Sequence, residues 1–219
     1  MPEGLDPAVD GRIETFRLVG MDHWNAMFED HATGSWWRQA NGEAIAGART
    51  GATLAEIPSR QTTLALWLRL HPRSLIMQAD SASLARYAKN FDYESGASRS
   101  TLTGTDTVSW RDKAWVVGLT MHGESRAYDW NRLKRERVVN DVVGGTPVVL
   151  ALAGDRASFV AFERPDPAAR FVVRGDSLVT GTQAYALDGR GAAGVLTPVT
   201  AYQEFWHSWR TFHPGTTTY

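Results

Sequence analysis

The 219-residue chain contains no cysteine, which excludes disulfides, thiolate metal sites and cysteine nucleophiles within it. It has no excess charge of either sign: 23 Lys and Arg stand against 24 Asp and Glu, a formal net charge of -1. Without a basic field, neither nucleic acid nor an anionic membrane is an expected partner, and the ligand stays open. Long apolar runs are lacking too. The stretch Pro147 to Ala153 is far too short to span a bilayer. Residues 1–12, MPEGLDPAVDGR, have neither the basic start nor the apolar segment of a signal peptide. There is no His-Glu-x-x-His and no Gly-x-Ser-x-Gly, and Gly144-Gly145-Thr146 lacks the length and the Lys of a phosphate loop. No motif points to a cofactor or a metal. What the chain does hold is an ordinary globular composition, 43% hydrophobic and 21% charged, together with 9 Trp.

An internal repeat organises the sequence. TGSWWRQANGEAIAG, starting at Thr33, aligns without a gap on TGTQAYALDGRGAAG, starting at Thr180, with Gly34/Gly181, Gly42/Gly189 and Gly47/Gly194 in register. WLRLHP from Trp67 aligns on WRTFHP from Trp209, which pairs Trp67 with Trp209, His71 with His213 and Pro72 with Pro214. Two blocks in one order indicate two copies of one supersecondary unit. The division expected is a first repeat over 1–80, a polar connection over 81–112 and a second repeat over 113–219. The second copy has about 55 residues before ARFVVRG. The first has almost nothing before the similar IETFRLVG at Ile13, so it reads as truncated, unless the second copy gained an insertion.

Most segments read as strands. DHATG between aromatic-flanked runs, HGES after AWVVGLTM, and the Gly pair of VVGGTPVVLAL are hairpin signals. The fold class is therefore mainly β with a few short helices, barrel- or sandwich-like, built from two copies of one unit. In TTLALWLRLHP, Leu64, Trp67, Leu68 and His71 form one helical stripe. The second copy repeats it with Phe205, Trp209 and Phe212, and Thr200 with Gln203 suggests a capping box. Both helices end at His-Pro, and a His there can bond the last free carbonyls, so His71 and His213 read as structural. Both Trp67 and Trp209 are expected to be buried. YDWNRLKRER and SLARYAKN are further helix candidates.

One hairpin gathers polar groups. His23, Asn25 and Glu29 share a strand face, Asp30 and Thr33 lie at the turn, and Trp36-Trp37 follow. His23, Asn25, Asp30, Thr33 and Trp37 are the candidate site, able to bind a cation or to exchange protons. The same residues also suit a plain Asp-x-x-Thr-Gly turn. Of Trp36 and Trp37, one should enter the core and the other face outward.

The strings DGRIETFRLVGMDHWNAMFEDHATGSWWRQANGEAIAG, QTTLALWLRLHP, GESRAYDWNRL…VVNDVVGGTPVVL and YQEFWHSWRTFHP together resemble a bacterial and archaeal family, domain of unknown function 3179 (DUF3179). The resemblance runs over essentially the whole chain. It implies a two-copy architecture and supplies no established activity. It also implies that a first copy opens with its own GESRAY-like region and a Cys-x-x-Cys segment, neither of which is present here. It further implies an extracytoplasmic or membrane-anchored protein whose N-terminal signal is missing. Two functions follow as expectations: a non-catalytic extracytoplasmic binding module, or a metal- or redox-dependent enzyme with a site near hairpin 22–37 and the missing cysteines. If opening strands are missing, strand 13–19 should show an unpaired edge or an uncovered apolar face at Phe16, Leu18 and Val19.

Overall fold

The computed structural model describes residues 4–78, 80–82 and 105–219, so the helix candidate SLARYAKN and most of the polar connection lie outside the described residues. Within them the protein is mainly β with three short helices.

The centre is a three-stranded antiparallel sheet of β9 (Val138–Val143), β10 (Thr146–Leu152) and β11 (Phe159–Glu163), in the order β11-β10-β9. The apolar run of β10 is buried on both faces, as a continuous hydrophobic strand should be. Val148, Leu150 and Leu152 join one core cluster with Leu119, Tyr128 and Leu133. Val149 and Ala151 join another with Phe171, Leu178 and Tyr185. The first cluster is closed by β7 (Trp115–Met121), β8 (Glu124–Asp129) and α2 (Trp130–Glu136), the helix expected from YDWNRLKRER. Asp129 caps α2 by accepting from the backbone N–H of Asn131 and Arg132. The β7–β8 turn at His122-Gly123 and the β9–β10 turn at Gly144-Gly145 have positive φ at both central residues, the twist that suits a two-residue hairpin.

Two further sheets are built from hairpins. One runs through β3 (Phe16–Asp22), β4 (Asn25–Asp30), β5 (Trp36–Arg38) and β6 (Ala44–Ala46). The other runs through β12 (Val172–Arg174), β13 (Ser177–Thr180), β14 (Gln183–Ala186), β15 (Arg190–Gly191) and β16 (Gly194–Val195). Short pairs β1 (Ala8–Val9) with β2 (Arg12–Ile13), and β18 (Thr217–Thr218) on β8, complete the strands. Among the described residues β3 is an edge strand, and its Leu18 is exposed. β12 is an edge in the same way although the long block 113–163 precedes it. An open edge is thus common to both sheets among the described residues.

The helices α1 (Leu64–Leu70) and α3 (Trp206–Phe212) have the same length and end alike. In each, the His after the last turn donates its N–H to the Trp carbonyl, and the Trp indole N–H donates to a hydroxyl seven residues on, Ser74 or Thr216. Each also packs away from its own hairpin sheet. From α1, Leu66 and Leu70 enter the Leu178–Tyr185 core and Arg69 pairs with Asp176. From α3, Phe212 meets the ring of His23 and the guanidinium of Arg38, and Ser208 meets Asn25.

Two expectations are corrected. The capping box of Thr200 and Gln203 does not form, because Tyr202–Phe205 is a strand, β17, paired with β7, and α3 begins only at Trp206. Trp67 is not buried: it is 37% exposed, against 1% for Trp209. Trp209 is covered by β7, with Val116 and Ala127 in its cluster, and no described strand lies over Trp67 in the same way.

Candidate functional site

The candidate residues at hairpin 22–37 separate into two groups. Asp30 is fully buried at the end of β4. Its carboxylate accepts from the Thr33 N–H and hydroxyl and from the Trp37 indole N–H at 2.8 Å, with Arg49 at 3.6 Å. Burial alone would raise its pKa, but these bonds, led by that from Trp37, outweigh it and hold the carboxyl below the usual range. Gly34 adopts φ +67° and returns its N–H to the Asp30 carbonyl. Asp30, Thr33 and Trp37 therefore build a turn and anchor a core, with Trp37 fully buried beside Leu5, Ala44 and Leu54. Trp36 faces outward, 44% exposed, and donates to Glu29.

His23 and Asn25 lie at the opposite end of β4. His23 contacts Asp22 at 2.6 Å, and Asp22 also accepts from Arg38 at 2.7 Å. Among the described residues no group of three or more His, Asp or Glu is close enough to hold a metal ion. Of the five candidates, Asn25 lines a large cavity.

That cavity, about 680 Å³, lies between the first-half hairpin region and the second-half sheets. Asn25, Gln39, Glu56 and Gln61 line it from one side; Glu163, Tyr202, Gln203 and Glu204 line it from the other, with Trp209 and His213 at its wall. A bonded chain links its two sides through buried Ser208. Asn25 donates to Ser208 Oγ at 2.7 Å, and Ser208 donates to Glu204 at 2.9 Å. A second link joins the backbone N–H of Gln203 to Gln61 Oε1, and the Tyr202 hydroxyl donates to Glu56.

Glu204 is the most perturbed acid of this site. Its residue is partly open to the cavity while its carboxyl sits deep in protein, and burial pushes its pKa to about 7 against a small opposing effect of Ser208. Burial likewise pushes the Tyr202 hydroxyl up, assisted by Glu56. It pushes the His213 imidazole down, partly offset by the Trp209 carbonyl. His213 stacks on Trp209 at 3.6 Å, and His71 lies on Trp67 at 4.2 Å, so both act as helix-end packing groups.

The sequence profile of the DUF3179 family, a protein family of unknown function, matches residues 5–216. The chain belongs to the DUF3179 family. No curated protein and no solved structure matches it. Membership fixes no activity, and the site has to be read from its own chemistry. Sequence reasoning missed Glu204, Glu56 and Glu163, since lone glutamates carry no spacing signal. The Gln61/Gln203 match across the repeat was the available pointer, as both amides line the cavity. Among the described residues no helix is long and apolar enough to cross a membrane.

Proposed function

We propose that this DUF3179 protein is a non-catalytic binding module, extracytoplasmic as the family resemblance implies, that holds a small polar molecule in the cavity between two copies of one structural unit. The copies are those expected from the sequence, 1–80 and 113–219. The observation that carries the reading is the convergence of uncommitted polar groups on one cavity. Gln39 and Gln61 each use their carbonyl oxygen within the protein, and their NH₂ groups have no partner among the described residues. Glu204 makes one hydrogen bond, to Ser208, and no ion pair among the described residues. The volume lies in the range of small-molecule sites, where a few placed polar groups fix the ligand.

The test is a thermal-shift screen of small polyols, amino sugars, amino acids and polyamines on the full chain. A ligand that binds the folded state raises the melting temperature by mass action. Compounds that do so with the native chain should lose the effect in the double variant Gln39→Ala, Gln61→Ala. Compounds that stabilise both chains equally would place binding elsewhere.

A second reading rests on Glu204 alone. A carboxyl that titrates at about 7 suits general acid–base work. Turnover of a bound compound, followed by NMR, would favour that enzyme reading. The metal- or redox-dependent alternative at hairpin 22–37 gains no such support, because Asp30, Thr33 and Trp37 are committed to a turn.

A further inference from the structure

Resting on the cavity as the binding site, we propose that its ligand is an amine-bearing polyhydroxylated molecule, up to about the size of a disaccharide and carrying at least one protonated amine.

The charge pattern carries this. Elsewhere in the fold several buried and half-buried carboxylates are matched by arginine, Glu14 by Arg49, Asp22 by Arg38, Glu29 by Arg17 and Asp141 by Arg126, while buried Asp129 is held by three neutral donors, the Ser109 hydroxyl and the N–H groups of Asn131 and Arg132. The carboxylates of the cavity have neither arrangement among the described residues. Glu56, Glu163 and Glu204 line it, and no Lys or Arg does among the described residues. None of the three is in an ion pair among the described residues. Glu56 is exposed, but Glu163 and Glu204 are half-buried; a carboxylate partly withdrawn from water without a counter-charge is costly, and a ligand cation brought into the cavity would lower that cost. A protonated amine does this as a three-donor group, matched to carboxylate acceptors.

The rest of the lining suits hydroxyls. A hydroxyl is both donor and acceptor. The NH₂ groups of Gln39 and Gln61 can donate to its oxygen, and carboxylate or Asn25 carbonyl oxygens can accept its hydrogen. The half-buried His213 imidazole at the wall, backed by the buried Trp209 indole, offers a flat ring against which a sugar ring can lie. An anionic ligand meets only like charge here, and a purely apolar one would leave these groups unpaired.

Isothermal titration of the full chain at neutral pH tests the class with three matched probes: the β-1,4-linked glucosamine disaccharide, cellobiose and lactobionate. The expected result is binding of the amino disaccharide at least about tenfold tighter than cellobiose, the worth of one charge-assisted bond, with lactobionate weakest. The preference should vanish in Glu204→Gln and fall in Glu163→Gln, while far-ultraviolet circular dichroism confirms that both variants fold. Equal affinity for the amino disaccharide and cellobiose, abolished by Gln39→Ala with Gln61→Ala but indifferent to Glu204→Gln, would overturn the amine class and leave the cavity reading standing. No binding of any probe, or binding indifferent to all four substitutions, would overturn both.

Discussion

The indole of Trp209 lies so close against Gly118 of β7 that no β-carbon fits between them. The glycine is not needed for a special φ; it is needed for space. A strand glycine that lets a large ring approach the backbone is one of the few reasons to keep Gly inside a sheet. Gly118→Ala should therefore destabilise the protein by about 1–3 kcal/mol through overpacking. Urea unfolding measures this, and an unchanged midpoint would show that α3 moves freely over β7.

The two tryptophans of the matching helices should respond unequally. Trp209→Ala removes a fully buried ring and should cost about 3–5 kcal/mol. Trp67 is 37% exposed, so Trp67→Ala should cost about 1 kcal/mol or less, in line with partly exposed positions. Equal losses in thermal unfolding would mean that something covers Trp67 in solution.

These two helices also show what the sequence could and could not disclose. Their apolar stripes and their His-Pro ends were legible, because an apolar stripe and a proline stop are local signals. The unequal burial was not, since it depends on which distant strand crosses each helix. The same division holds at the site. That one of Trp36 and Trp37 faces out and the other in followed from strand alternation, but not which of them does so. Asp30 looked chemically available because a sequence cannot show that Thr33 and Trp37 already occupy its oxygens. Glu204 looked ordinary because its burial arises only when β17, α3 and β4 meet. The capping box at Thr200 failed for a related reason: pairing of β17 with β7 overrode the local helix-start pattern.

Asp155 should govern part of the acid limb of stability. Burial would raise its pKa, but the Ser158 hydroxyl, the backbone N–H groups of Ser158 and Ala157 and the Thr63 hydroxyl outweigh that and hold it at about 2. Its folded pKa is below its ordinary value of 3.8. The stability it contributes is therefore present above about pH 4 and is lost as pH falls toward 2. Asp155→Asn should lower the melting temperature at neutral pH and flatten its decline between those values. An unchanged acid limb would contradict the assignment.

Glu204 should act in the opposite direction. Its folded pKa, about 7, is above the ordinary 4.5. The folded state thus holds an extra proton between those values, and stability should fall as pH rises from about 4.5 through 7. Glu204→Gln, which keeps the neutral shape, should remove that decline and melt higher than the native chain at alkaline pH. A native chain that gains stability over this interval, with no difference in the variant, would show that the carboxyl is freely solvated.

The most direct test of the central claim is a side-chain NMR titration of the full chain with the glucosamine disaccharide. If the cavity is the binding site, the NH₂ resonances of Gln39, Gln61 and Asn25 and the indole N–H of Trp209 shift together along one saturable curve, while the outward indole of Trp36 stays still. Shifts confined to Trp36 and its neighbours, or no saturable shift at any of these groups, would contradict it.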